Sequence, residues 1–229
     1  MTGARSPEDL VRTLRAVGIR DERLLRAVRD TPRSGFVPAE HAALAYEDVP
    51  VPIGHGQVTT QPSLSAMMIE ALGLRGGEHV LEIGGGLGFQ TALLARLAAD
   101  AVSVELLSDV AAQARRNLAL QGVRNVDLRV GDGSGGAPDR APYDAVIVSA
   151  AFPEVPPPLA AQMRIGGRLV QPIGPGGREE VVCFRRTESG LARVRVLTAA
   201  RFVPLRGRYG YPSSGQGDGS TGVAMPPRR

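Results

Sequence analysis

Residues 79–88 read HVLEIGGGLG, a short apolar run that ends in a bend with glycine at every second position. An unbroken apolar run of this length predicts a buried strand over His79 to Ile83. Gly84, Gly86 and Gly88 let the backbone turn sharply and let a ligand approach without meeting a side chain. A helix is predicted next, with Ala92, Leu93 and Leu97 on its apolar side. A strand that turns tightly on glycine into a helix is the opening unit of an open α/β sheet, and the following residues keep the alternation. Strands are predicted at Ala101 to Glu105, Val126 to Val130, Ala145 to Val148 and Gly167 to Ile173. Helices are predicted from a Ser108-Asp109 cap to about Gln121-Gly122, and over Pro157 to Met163. Glu180 to Arg186 and Leu191 to Leu197, flanking Thr187-Glu188-Ser189-Gly190, read as two antiparallel strands. The expected fold class is α/β, a Rossmann-like, doubly wound, mostly parallel sheet with antiparallel strands at its C-terminal side.

Ahead of the sheet, Ser6-Pro7-Glu8-Asp9 has the form of a capped helix start, with Leu10, Val11, Leu14 and Val17 at helical spacing and Gly18 to end it. A second short helix carries Leu24, Leu25 and Val28 before Thr31-Pro32. From Arg33 to about Gln61 the chain is irregular and holds Pro38, Pro50, Pro52, Gly54 and Gly56. Loops of that length in a small domain commonly line a site. Three segments are expected: 1–60 as N-terminal helices and active-site loop, 61–206 as the core, and 207–229, rich in Gly, Ser, Pro and Arg, as a flexible tail.

Composition excludes several function classes. The single cysteine, Cys183, rules out a disulfide framework and any multi-cysteine metal site, and it reads as a buried core residue. No apolar run reaches the roughly 20 residues of a membrane span, and the start lacks a signal-peptide core, so a cytoplasmic location and no membrane partner are expected. All 27 basic residues are Arg, yet they are scattered among 23 acids and leave only +4, too diffuse for a nucleic-acid stripe. A monomer is expected.

Glu105 ends the second strand 21 positions after Gly84, where a carboxylate can accept hydrogen bonds from the ribose hydroxyls of an adenosine. A dinucleotide site of the form G-x-G-x-x-G would need its third glycine at 89, and that residue is Phe89. The spacing from Glu82 through Gly88 instead resembles the first motif of class I S-adenosylmethionine-dependent methyltransferases. Gly131-Asp132-Gly133 follows the third strand. Asp132 is either a receiver for the adenine amino group or a turn residue of an Asp-Gly pair. The place after the fourth strand reads Val148-Ser149-Ala150-Ala151-Phe152-Pro153-Glu154, without the Asn/Asp-Pro-Pro-aromatic motif common among amino-group methyltransferases.

The long loop is more telling. Phe36-Val37-Pro38, Ala45-Tyr46 and the run from Pro50 through Gly54-His55-Gly56-Gln57 to Gln61-Pro62 resemble the protein-L-isoaspartate O-methyltransferases. The resemblance continues through Ala141-Pro142-Tyr143-Asp144 and Gly166-Gly167-Arg168-Leu169-Val170 to Phe202-Val203-Pro204-Leu205. It implies methyl transfer from S-adenosyl-L-methionine to the free carboxylate of an isoaspartyl residue in a damaged protein or peptide. It also implies a catalytic role for Thr60, where the family typically has Ser. Gln57, Val58 and Thr59 would lie along the methionine part of the cofactor, with Glu82, Gly84, Gly85, Gly86, Leu87, Gly88, Glu105, Asp132 and Gly133 completing its site, and no metal. The chemistry matches what the chain lacks: a carboxylate is already ionised at neutral pH and needs alignment and desolvation more than a general base. His55 reads either as a substrate contact or as a loop-stabilising hydrogen bond. His41 and His79 have no identifiable partner, and Tyr209 and Tyr211 either cover the cofactor or lie in a mobile tail. Three other readings remain: a relative that methylates one aspartate of a dedicated peptide to give an aspartimide, a binding protein without turnover, and a nicotinamide dehydrogenase.

Overall fold

The computed structural model describes residues 6–212. Two short helices open the chain, α1 (Pro7–Ala16) and α2 (Glu22–Arg29). Ser6 caps α1 reciprocally: its hydroxyl receives the Asp9 amide, while the Asp9 carboxylate receives the Ser6 amide. The stretch expected to be irregular holds 3₁₀ turns at Arg33–Phe36 and Ala39–Leu44 and a small antiparallel hairpin of β1 (Pro52–Gly54) and β2 (Gln57–Val58).

A helix for which no prediction was made, α3 (Pro62–Leu72), follows directly. Pro62 occupies its first turn and Gly73, at φ 60°, ends it. Eight of its residues are buried, among them Ser63, Ser65, Met68 and Ile69. A helix apolar on most sides shows little amphipathic period, which is why pattern alone did not reveal it.

The rest alternates as expected: β3 (His79–Ile83), α4 (Phe89–Leu97), β4 (Asp100–Glu105), α5 (Ser108–Leu120), β5 (Val126–Val130), β6 (Tyr143–Val148), α6 (Pro157–Ala161), β7 (Met163–Ile173), β8 (Glu179–Thr187) and β9 (Gly190–Ala200). The seven strands lie in the order β5-β4-β3-β6-β7-β8-β9. Pairings from β5 to β7 are parallel, and β8 and β9 are antiparallel. The order reverses between β3 and β6, so the crevice beyond the carboxyl ends of these strands is where a ligand belongs.

Two predicted details are corrected. Ser108 does not cap α5; it is the first helical residue, and Leu107, at the cap position, has no side-chain acceptor to offer, while its own amide goes to the Glu105 carboxylate. His79 does have partners: Nδ1 lies 2.7 Å from Asp100 Oδ1 and Nε2 2.8 Å from the Arg140 carbonyl, with the ring stacked on Tyr143.

The first hydrophobic cluster joins the N-terminal helices to the sheet. Leu10, Leu14, Leu24 and Val28 pack with Met68 and Ile69 of α3, Leu93 and Leu94 of α4, and Val170 and Val181 of the strands. Cys183 is buried in it, as expected, and burial pushes its thiol up. A second cluster, with Leu81, Val102, Tyr143, Val146 and Leu159, covers the other sheet face. The strap at 207–212, within the segment expected to be mobile, has a defined path. The Tyr211 amide donates to the Leu205 carbonyl, and the Gly207 amide to the Tyr211 carbonyl. Residues 213–229, the rest of the expected tail, lie outside the described residues.

Candidate active site

The bend after β3 is built by conformation and by crowding. Gly84, Gly86 and Gly88 sit at φ 83°, 55° and 96°, the left-handed region that favours glycine. Gly85 is required for a different reason: a Cβ there would collide with Ser103 Oγ and lie 3.3 Å from Glu82 Oε2. Directly beneath, Glu82 is fully buried. Its Oε2 accepts from Thr91 Oγ1 at 2.5 Å and from Ser103 Oγ at 2.7 Å, and its Oε1 accepts from Gln90 Nε2 at 3.1 Å. Burial pushes the Glu82 carboxyl up, and the Thr91, Ser103 and Gln90 hydrogen bonds pull against that.

The bend opens into a cavity of about 440 Å³. One wall is the glycine turn and Ile83, a second the end of β4 with the start of α5, a third the hairpin and acceptor loop, and a fourth the segment Val203 to Arg206. Glu105 faces it, 7% exposed, with Oε2 taking the Gly86 amide at 2.9 Å and Oε1 the Leu107 amide at 3.0 Å. Each oxygen therefore retains acceptor capacity, and the backbone fixes the carboxylate before any ligand arrives.

Of the thirteen residues predicted for the site, ten line this cavity: Gln57, Val58, Thr59, Thr60, Gly84, Gly85, Gly86, Leu87, Glu105 and Gly133. Glu82, Gly88 and Asp132 do not. Glu82 supports the bend from behind, and Gly88 packs toward Ala114 and Leu118 of α5. Asp132 is engaged within its own turn and with the strap: Oδ1 accepts from the Ser134 amide and hydroxyl at 2.8 and 2.6 Å, and Oδ2 accepts from the Arg208 amide at 2.7 Å. The residue that reaches the cavity from this strand end is Gly133, where a Cβ would sit 2.6 Å from Ile83 Cγ2.

Thr60 is half-buried on the cavity wall, and its hydroxyl makes no hydrogen bond to any described residue. Both neighbours are tied. The Thr59 amide donates to the Val51 carbonyl at 2.8 Å, and Gln61 Nε2 donates to Asp48 Oδ2 at 2.9 Å and Ser63 Oγ at 3.1 Å. A free hydroxyl between two anchored residues is a donor held ready for an incoming group. His55 lines the cavity, and its Nε2 pairs with Asp109 of α5. Tyr209 packs near Gly135, and its amide donates to Ser134 Oγ, whereas Tyr211 packs on Phe152 and donates its hydroxyl to the Pro175 carbonyl.

Several lining residues had no role in the sequence reading. Ser65, Gln90 and Ser149 form a polar corner, where Gln90 Nε2 donates to Ser149 Oγ at 2.9 Å and Ser65 Oγ donates to Gln90 Oε1. Only their places hinted at them, Ser65 just after the Gln-Pro pair, Gln90 just after the glycine motif and Ser149 just after β6. Among the described residues no group of His, Cys, Asp and Glu could hold a metal ion, and no helix is long and apolar enough to cross a membrane.

Comparison with known proteins agrees with this geometry. Residues 5–210 match the family model of protein-L-isoaspartate(D-aspartate) O-methyltransferase. A protein-L-isoaspartate O-methyltransferase of Methanoculleus marisnigri is 49% identical over 208 residues, covering 90% of this chain and 94% of the relative. That of Anaeromyxobacter dehalogenans is 49% identical over 199 residues, covering 86% and 95%. A solved protein-L-isoaspartate O-methyltransferase superposes with a TM-score of 0.78 at 31% identity, over 89% of this chain and 67% of its own. A Plasmodium falciparum structure in complex with S-adenosyl-L-homocysteine, 18% identical, shares the fold at a TM-score of 0.74, over 88% and 99%. The chain belongs to the protein-L-isoaspartate(D-aspartate) O-methyltransferase family.

Proposed function

We propose that this chain transfers the methyl group of S-adenosyl-L-methionine to the free carboxylate of L-isoaspartyl residues in damaged proteins and peptides. The observation that carries the reading is the meeting of the glycine bend, the backbone-fixed Glu105 and the free Thr60 hydroxyl in one cavity. The residues fit the cofactor. The volume is within the range of small-molecule sites, the backbone is bare at Gly84 to Gly86, and Glu105 has acceptor capacity left for ribose hydroxyls. When bound, S-adenosyl-L-methionine supplies an activated methyl on a sulfonium.

The chain's own residues supply position and a dry surrounding. Glu105 and the glycine bend hold the nucleoside end, and Gln57, Val58 and Thr59 flank the methionine end. Glu82 and Asp132 keep the two strand ends in shape from behind. Thr60 donates its hydroxyl hydrogen to the acceptor carboxylate, fixing one oxygen so that the other faces the methyl. Ile53, Phe89 and Leu205 exclude water, which leaves the carboxylate less solvated and more reactive. A methyl ester on the isoaspartyl group then makes its carbonyl an electrophile for the neighbouring backbone nitrogen, whose attack breaks the C–OCH3 bond and expels methanol, so succinimide closure and hydrolysis need no further residue of the enzyme. The acceptor loop within residues 1–60 and the core at 61–206 act as one unit, since α1 and α2 share the hydrophobic cluster of α3 and α4. A cytoplasmic, monomeric enzyme with no nucleic-acid partner is the setting in which we place this activity.

The deciding experiment offers labelled S-adenosyl-L-methionine with a matched pair of peptides, one isoaspartyl and one aspartyl. Labelling confined to the isoaspartyl member is expected. Equal labelling, or none, overturns the reading, and preference for the aspartyl member points to aspartimide chemistry.

A further inference from the structure

Arg33, 1% exposed, is the largest fully buried side chain among the described residues, and no described carboxylate lies within ion-pairing distance of it. Its guanidinium instead binds the acceptor loop. Nη1 donates to the carbonyls of Leu44, Ala45 and Glu47 at 3.3, 3.1 and 3.1 Å, and Nη2 donates to the Val49 carbonyl at 3.1 Å. A second bond from Nη2, at 2.9 Å, goes to Thr59 Oγ1. On its other side Cζ lies 6.0 Å from the ring centroid of Phe89, a residue of the cavity wall. The Asp48 carboxylate supports the charge at longer range while itself holding Gln61 and Ser63. Burial pulls the guanidinium down to about 10, so it stays cationic at neutral pH.

Taking a cation out of water costs several kcal/mol unless its donors are all used. Here both terminal nitrogens are used, on a stretch with few donors of its own to offer. Residues 44–51 contain no strand or α-helix; the Leu44 carbonyl takes the Glu47 amide, and those of Ala45 and Val49 have no backbone donor among the described residues. One planar fork supplies them, which a flexible ammonium could not do with the same reach. The fork also ends on Thr59, whose oxygen takes the Val51 amide at 3.0 Å as well. With both acceptor sites of that hydroxyl filled and the Thr59 amide bonded to the Val51 carbonyl, residue 59 is fixed in orientation. Its successor is Thr60.

Resting on the methyl-transfer reading above, we infer that Arg33 is a positioning residue for that reaction: it acts through Thr59 to set the direction of the Thr60 hydroxyl. The guanidinium touches neither acceptor nor donor in this scheme. It holds the loop so that, among the described hydroxyls of this loop, Thr60's alone is left free.

The test uses the full chain with S-adenosyl-L-methionine and an isoaspartyl peptide, measuring kcat and KM, S-adenosylhomocysteine affinity by calorimetry, and the thermal midpoint. Thr59→Val keeps the shape and removes the acceptor; because Thr59 also flanks the methionine end of the cofactor, we expect kcat to fall about 10- to 100-fold and S-adenosylhomocysteine affinity to fall by a smaller factor. Thr59→Ser is expected to recover most of that loss. Arg33→Lys should lose a similar factor, and the Arg33→Lys/Thr59→Val pair no more than the worse single change, because both break one chain of contacts. If Arg33→Lys does not fold, the Thr59→Val and Thr59→Ser pair decides. Parent-like kcat in Thr59→Val, failure of Thr59→Ser to recover the rate, or losses that multiply in the double variant overturn the inference. The unchanged protein in the same assay reads the function separately. Should it leave the peptide unlabelled, exchange of the residue-59 amide, which bonds the Val51 carbonyl, still decides the clamp: faster exchange in Thr59→Val supports it, and unchanged exchange sinks it.

Discussion

His55, at the tip of the β1–β2 hairpin, donates from Nε2 to Asp109 Oδ2 in the first turn of α5 at 2.7 Å. The bond joins two walls of the cavity, since Ile53, His55, Gln57 and Val58 line one side and Leu106, Leu107 and Val110 another. His55 sits at φ 53°, the one described non-glycine residue with positive φ, between Gly54 and Gly56 at 90° and 66°. Three successive left-handed residues make the tip sharp enough to reach across. A bulky side chain held in that conformation costs free energy, and the contact with Asp109 helps to offset it.

Because both partners are half or more exposed, the pair is a solvent-screened surface contact of small worth. His55→Ala should therefore weaken S-adenosylhomocysteine binding by no more than roughly fivefold, and Asp109→Asn by a similar factor. Calorimetry at low and high salt checks it, because a screened surface pair fades with ionic strength. A loss far beyond that limit, surviving high salt, would mean that His55 touches the ligand directly.

Thr60→Val removes the one free hydroxyl of the acceptor loop while keeping the branched shape. Cofactor-product affinity should be unchanged, and methyl transfer to an isoaspartyl peptide should slow about 100-fold, the scale of losing one positioned donor. Single-turnover rates with saturating cofactor separate the two. Parent-like rates would take Thr60 out of the mechanism.

The sheet was legible because its strands are apolar runs bounded by glycine turns, and the ligand crevice followed from where such runs end. Glu105 was legible for the same reason: it closes a strand at the right distance from the bend. The loop was not. Its shape depends on Arg33, one arginine among 27 scattered basic residues, and no periodicity marks a side chain whose partners are backbone carbonyls eleven to sixteen positions away. Asp132 was ambiguous for a related reason. An acid between two glycines after a strand reads equally well as a ligand contact or as a turn, and only the strap amide of Arg208, 76 residues on, shows which bonds it makes.

That strap yields a pH prediction. Burial pushes the Asp132 carboxyl up, but the Ser134 hydroxyl and the amides of Arg208 and Ser134 outweigh it and hold the carboxyl below the usual range. A depressed carboxylate contributes stability above its unfolded value, about 3.9, and loses it as pH falls through the lower folded value. The 207–212 strap should stay docked at neutral pH and loosen only below about pH 4. Amide exchange at Arg208 and Tyr209 followed down the pH scale checks this, with Asp132→Asn expected to loosen both already at pH 7. Equal protection of the two amides in that variant would show the strap to be held by something else.

The bend should be the least tolerant part of the site, and Gly85 its most sensitive point. Unlike its neighbours it has an ordinary backbone conformation, so Gly85→Ala strains no dihedral. The added methyl would instead strike Ser103 Oγ and press on Glu82 Oε2 and Thr91 Oγ1, the atoms that hold the buried carboxyl. Overpacking of this kind costs about 1–3 kcal/mol, roughly 2–10 °C in Tm for a chain of this size. Pairing it with Ser103→Ala relieves the collision but strips Glu82 of one of its three side-chain donors, so the double variant should recover only part of the loss. Thermal unfolding of the three variants separates the contributions. A Gly85→Ala protein that melts with the parent would mean that the Glu82 cluster yields to the methyl, and the bend would then owe its shape to the left-handed glycines alone.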